Sequence, residues 1–195
     1  MTWISTFTGR HFNYTAPSVE DVDIRDIAHA LSQINRFCGH THWPYSVAQH
    51  SIGASYLVPP EFAFEALMHD AHEAYVSDMM SPLKHMLPDY QRVEANVEVI
   101  VRLRYGLPLK TSPEVKRADL IMLATEKDAL LHPDSGHWPI LDGVERSERI
   151  IVYMTAYEAE REFMARFSEL AGPYVETGYD GQPIYPDRYE GVQHG

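Results

Sequence analysis

Basic residues are in short supply in this chain: 16 Lys and Arg stand against 28 Asp and Glu, for a formal net charge of −12. Extended phosphate backbones are bound by basic surfaces, so long nucleic acid is a poor partner for it. A small anion needs only a local cluster of Arg, Lys or metal, and stays open. A single cysteine, Cys38, excludes an intrachain disulfide and a Cys-based zinc site. No stretch approaches the ~18 consecutive apolar residues of a membrane-spanning helix. The N-terminal MTWISTFTGRHFNY has no basic region followed by a long apolar run, unlike a signal peptide. These absences predict a cytoplasmic protein with no membrane partner. No internal repeat and no convincing series of strands is visible.

What is present is helical periodicity. At 195 residues, 45% hydrophobic and 23% charged, the chain suits one domain with a real core. In PSVEDVDIRDIAHALSQINRF, Ile24, Ile27, Leu31 and Ile34 share a face, with Ser18 as the expected N-cap. Ser46 and Gln49 have the spacing of a capping box, which starts a second helix with His50 in its first turns. Pro60 can open a third helix running through EFAFEALMHDAHEAYV. Val93, Val97, Ile100 and Val101 mark a fourth that stops at Gly106. Ser112, Pro113 and Glu114 stand in N-cap, N1 and N2 order for a fifth, and VERSERIIVYMTAYEAEREFMARFSEL reads as a last long helix. The expected fold is a single all-α bundle of about six or seven helices over residues 1–171. A Gly-, Pro- and Tyr-rich tail follows over 172–195.

The stretch ALMHDAHEAYVSDMMSPLK concentrates His69, Asp70, His72, Glu73 and Asp78 directly after an apolar run, where solvation is poor. Residues three and four apart are neighbours on a helix, so His69 and Glu73 share a face with Asp70 beside them. Imidazole with carboxylate suits a divalent ion such as Zn, Co, Mn or Mg. His50, early in the preceding helix, can reach the same point. Asp119 sits among apolar neighbours in VKRADLIMLA, and a carboxylate partly buried there must be paired, hydrogen bonded or metal bound.

The order His50, then His69-Asp70, then Asp119 resembles the H…HD…D signature of the HD-domain metal-dependent phosphohydrolases. SVAQHS resembles the segment around that superfamily's first histidine, and HDAHEAYVSDMMSPLK the HDxxE…D…PxK block of its 5′-deoxynucleotidase branch. TFTGRHFNY, DIRDIAHALSQINRFCGHTHWPYSVAQHS and ATEKDAL are similar to short phage-encoded HD proteins, which include dATP triphosphohydrolases. The resemblance covers roughly residues 3 to 130. It implies an all-α bundle in which His50, His69, Asp70 and Asp119 hold a catalytic divalent metal. Glu73 would then be the general acid/base, with Asp78 near the sugar or the attacking water.

Arg36 and Lys84 are candidate phosphate contacts, the first as a bidentate fork and the second as a point charge. The deoxynucleotidases carry an Arg-Trp pair where this chain has Arg36-Phe37, so Phe37 is placed in the substrate pocket with altered base contacts. The expected substrate is a deoxynucleotide, cleaved at a 5′-monophosphate or at the α-phosphate of a triphosphate, with dAMP or dATP as examples. The expected role is control of a deoxynucleotide pool. Guanosine alarmone hydrolases share the ligand set but place an acidic pair where this chain has Glu73-Ala74. A non-catalytic nucleotide-binding HD module is the alternative from another class. His40, His42 and His72 receive no assignment. The amphipathic helices leave enough apolar face that a homo-oligomer is expected.

Overall fold

Asp23 starts the first long helix. Its Oδ1 accepts from the Arg25 amide at 3.0 Å, and α1 runs over Ile24–Gln33. Ser18, the residue expected in that role, caps only a short 3₁₀ turn at Val19–Asp21. A computed structural model describes residues 1–171, and the 172–195 tail lies outside the described residues. The described residues are all-α apart from one small ribbon. Strands β1 (Trp3–Ser5) and β2 (His11–Asn13) pair antiparallel, with Ile4 opposite Phe12. At three residues each they are too short to show an alternating pattern in sequence. The ribbon is held to the bundle by Phe12, fully buried and stacked 4.2 Å from Tyr75, and by Asp26, which accepts from the Thr8 amide at 2.7 Å.

After α1 the chain is stapled. Asn35 and Ser46 form an isolated antiparallel bridge, and the Arg36 amide donates to the Tyr45 carbonyl at 2.9 Å. The loop between them therefore leaves and re-enters at one place, which sets Arg36 beside the start of α2 (Val47–Ser55). The expected capping box is present: Ser46 Oγ accepts from the Gln49 amide, and Gln49 Oε1 accepts from the Ser46 amide. All nine residues of α2 are buried, and α1, α3 (Ala63–Met68), α7 (Pro113–Leu130) and α8 (Ala156–Ala171) pack around it. A β-carbon at Gly53 would lie 2.5 Å from Met122 Cε, so the missing side chain lets α7 approach this closely.

The helix expected from Pro60 through Val76 is broken. A 3₁₀ turn at Pro60–Phe62 leads into α3, and α4 (Glu73–Val76) follows four residues of tighter turn. There the amides reach back three residues, Ala71 to the Met68 carbonyl and Glu73 to the Asp70 carbonyl. His69 Nδ1 contributes to the break by donating to the Ala66 carbonyl at 2.7 Å, which occupies one of the last acceptors of α3. Ser77, at φ 71°, ends α4.

Helices α5 (Ser81–Lys84) and α6 (Pro88–Arg104) come next. Gly106 closes α6 with φ 64°, the Leu107 amide donating to the Arg102 carbonyl and the Gly106 amide to the Leu103 carbonyl. Helix α7 begins as expected at Ser112-Pro113. The last helix starts twelve residues later than its periodicity suggests, at Ala156 rather than Val144. Thr155 and Glu158 form a reciprocal capping pair there, and this local signal sets the boundary. The preceding Val152 lies outside any helix, and its carbonyl accepts from Gln49 Nε2 at 3.0 Å. The apolar core joins Ile27, Leu31, Val47, Leu67, Phe163 and their neighbours. Among the described residues no helix is long and apolar enough to cross a membrane.

Candidate metal centre

The break after α3 leaves His69 at its C-terminal end, aimed at α2. His50 in α2 is fully buried, and its Nε2 lies 3.3 Å from His69 Nε2. Helix α7 brings Asp119 Oδ1 to 3.1 Å from His50 Nε2 and 3.9 Å from His69 Nε2. Asp70 Oδ2 lies 3.2 Å from His69 Nε2 and 3.7 Å from His50 Nε2. The structure thus brings together all four residues placed in the ligand set by sequence. The atoms offered by His50, His69 and Asp119 all fall within 4.8 Å of one another. Asp70 joins them from the side of His69.

The donor chemistry fits a divalent ion. His69 Nδ1 faces a carbonyl, which can only accept, and His50 Nδ1 faces the Glu126 carboxylate at 2.6 Å. Each ring therefore carries its proton on Nδ1, and when neutral the two bare Nε2 lone pairs point at each other. Such a contact is repulsive unless a cation stands between the nitrogens and the flanking carboxylates. Ligands about 2.1 Å from one ion sit roughly 3.0–3.4 Å apart in octahedral to tetrahedral arrangements. Three of the separations, 3.1, 3.2 and 3.3 Å, already have that size.

With no ion counted, the two histidines hold their protons more tightly than free imidazole. Burial and the Arg36 guanidinium push the His50 imidazole down, but Glu126 and Asp119 outweigh them and raise it to about 9. His69 is also raised, its burial outweighed by Asp70. Asp70 and Asp119 are held below the ordinary carboxylate range, because the histidines more than offset their burial. A raised folded value gives stability that is complete below the ordinary 6.5 and is lost as pH rises through about 9. The His50 contribution to the metal-free protein should therefore fade across that window. Metal affinity should rise across it, since the ion no longer displaces a proton. Titrating Co²⁺ into the metal-free protein at several pH values checks the sign; affinity that falls with pH would contradict the ligand assignment.

The remaining expected residues gather around this point in different ways. Arg36 is buried; its Nε donates to Glu126 Oε2 at 2.9 Å, and its Nη1 lies 3.8 Å from Asp70 Oδ2. Glu73 is 5% exposed, and its Oε2 has no hydrogen-bond partner among the described residues. Burial, reinforced by the Asp70 and Asp78 charges, lifts its carboxyl well above the ordinary range. Asp78 is raised too, by burial, with Arg36 opposing and Asp70 assisting. Lys84 is held by Glu94, its Nζ donating to Oε1 at 2.6 Å. Phe37 is buried with its ring against Arg36 and 6.3 Å from Trp138. It sits in the left-handed region at φ 55°, as does Cys38 at φ 51°, so this turn is strained. His72 is buried 3.8 Å from Glu94 Oε1, whereas His40 and His42 are exposed.

Sequence reasoning passed over two acids. Glu126 is fully buried against His50 and Arg36, and Glu94 anchors Lys84. Both had a signal. Glu126 follows Asp119 by seven residues, two turns on along the same face, and Glu94 shares the stripe of Val97 and Val101. A cavity of about 760 Å³ lies between the first turns of α7 and residues 143–147, and none of the four clustered residues lines it. Converging donors mark this site, not volume.

No family model matches the chain. It is 49% identical over 172 residues to the uncharacterized protein YfdR of Escherichia coli strain K12, a match covering 88% of this chain and 97% of that protein. It is 32% identical over 126 residues to an uncharacterized protein of Rhodobacter capsulatus, covering 60% of this chain and 64% of that one.

Proposed function

The chain belongs to the family of the uncharacterized Escherichia coli protein YfdR, and from its site we propose a metal-dependent phosphohydrolase of the HD-domain kind, acting on deoxynucleotides. The observation that carries this reading is the convergence of His50, His69, Asp70 and Asp119 on one point, with a buried arginine beside it and a buried glutamate whose Oε2 has no hydrogen-bond partner among the described residues. A divalent ion held by those four residues supplies Lewis acidity towards a phosphoryl oxygen and lowers the pKa of water.

The chain supplies the rest. Arg36, fixed by its Nε bond to Glu126, offsets negative charge developing on the phosphoryl oxygens. Glu73 keeps its proton to higher pH than an ordinary carboxyl and delivers it to the departing oxygen. Asp78 shares the field of Arg36 and Asp70, and orients the sugar or the attacking water. Lys84, steadied by Glu94, adds positive charge at the rim. The similarity of TFTGRHFNY and ATEKDAL to phage-encoded proteins supports a role in controlling a deoxynucleotide pool.

The test offers the Co²⁺- or Mn²⁺-loaded protein AMP, dAMP, ATP and dATP, and resolves phosphate, pyrophosphate and triphosphate as products. Faster turnover of the deoxy member of each pair is expected. A crowded wall discriminates against an added hydroxyl only modestly, about 10²-fold at most where it can find no partner. Equal rates on both members of each pair would remove the deoxynucleotide assignment.

A further inference from the structure

We infer that Glu126 is a positioning residue that ties a metal ligand and a phosphate-facing arginine into one rigid unit, an inference that rests on the phosphohydrolase reading. Its side chain is completely buried in α7. Each carboxylate oxygen has its own partner: Oε1 accepts from His50 Nδ1 at 2.6 Å and Oε2 from Arg36 Nε at 2.9 Å. The far end of Arg36 meets Asp70 at 3.8 Å, and Asp70 lies 3.7 Å from His50 Nε2. The contacts close a ring: His50, Glu126, Arg36, Asp70 and back to His50.

Only a carboxylate can accept from both neighbours at once. Through His50 it holds the proton on Nδ1, so that the Nε2 lone pair faces the ligand point and is made more basic. Through Arg36 it occupies Nε and aims the terminal nitrogens towards Asp70 and the same point. Stability alone is a weak reason for the arrangement, because a buried ion pair can often be replaced by apolar side chains at little cost. The two-turn spacing from Asp119 lets one helix deliver both a ligand and the support for another ligand.

Glu126→Gln separates positioning from mere packing. The amide keeps the shape but can accept from only one neighbour and presents N–H to the other. Co²⁺ affinity, read by chelator competition in the full chain without nucleotide, should weaken by about 10–100-fold, with a change in the visible spectrum of the bound ion. Inorganic phosphate should bind the Co²⁺-saturated variant as weakly as it binds Arg36→Met. Arg36→Met alone keeps the Glu126–His50 contact, so its Co²⁺ affinity should fall by less than that of Glu126→Gln. The double variant Glu126→Gln/Arg36→Met removes the buried cation that has lost its carboxylate partner at Nε, and should still show the loss of Co²⁺ affinity. Wild-type Co²⁺ affinity in folded Glu126→Gln, or in the double variant, would overturn the inference and leave the phosphohydrolase reading standing. Loss of Co²⁺ affinity in a protein that hydrolyses no nucleotide would support the positioning role and remove the substrate reading instead. A wild-type chain that binds no Co²⁺ would overturn both.

Discussion

Replacing Glu73 with alanine is expected to lower kcat by about 10²–10⁴-fold, the usual contribution of a general acid or base, with metal content and ground-state nucleotide affinity nearly unchanged. The carboxyl acts on a proton in transit and contributes little to holding substrate. Its environment suits an acid. Burial and the neighbouring Asp70 and Asp78 charges raise its pKa, and Oε2 has no protein partner among the described residues. Glu73→Gln should fail almost as badly, because the amide keeps the outline and loses the transferable proton.

Stability should move the opposite way. A carboxyl raised in the folded state contributes stability below its ordinary 4.5 that is lost as pH rises through the folded value. Glutamine, neutral throughout, escapes that loss, so Glu73→Gln should melt no lower than wild type above that pH. An inactive variant of undiminished stability identifies a working group; a wild-type rate in both variants identifies a bystander. A wild-type protein that binds metal and nucleotide but turns over none of them would be a non-catalytic binding module.

The second large effect concerns the ligands. His69→Ala and Asp119→Ala should leave the protein depleted of metal on elemental analysis, a greater loss than the ~10–100-fold caused by removing a supporting partner. The two variants fail for different reasons. His69 is buried and supplies Nε2 from the end of α3, whereas the Asp119 side chain is 39% exposed and closes the site from the solvent side. Asp119→Ala should therefore fold normally and report on metal alone. Ligand at 100 times its dissociation constant raises stability by about 2.7 kcal/mol. That increment, seen as an upward shift in Tm on adding metal, should vanish in both variants. Full metal occupancy in both would sink the assignment.

Local chemistry was legible in the sequence, and its limits were local too. The Ser46–Gln49 box, the Gly106 stop and the Ser112-Pro113 start are formed by residues a few positions apart, and each sits where the pattern put it. That His50, His69, Asp70 and Asp119 gather at one point was also readable, because residue type and order survive without coordinates. The break between Met68 and Glu73 was hidden, since it involves the His69 side chain bonding the Ala66 carbonyl three residues back, which periodicity cannot register. The apolar run at 150–152 resembled helix, yet Thr155 and Glu158 start α8 only after it. Glu126 escaped notice because an acid in the polar run TEKD gains meaning only when α7 lies against α2.

The wide spacing of the ring around Glu126 bears on how the protein reaches its folded state. Glu126 is 76 positions from His50 and 90 from Arg36 along the chain, and these contacts close only when α7 docks on α2. Ordering so long a loop is entropically costly and tends to come late. The ion would then meet its complete ligand set only after the rate-limiting step. Added metal should hardly change the refolding rate, and should instead slow unfolding, because it stabilises an arrangement absent from the transition state. The cofactor would act as a latch on the finished bundle and not as its nucleus.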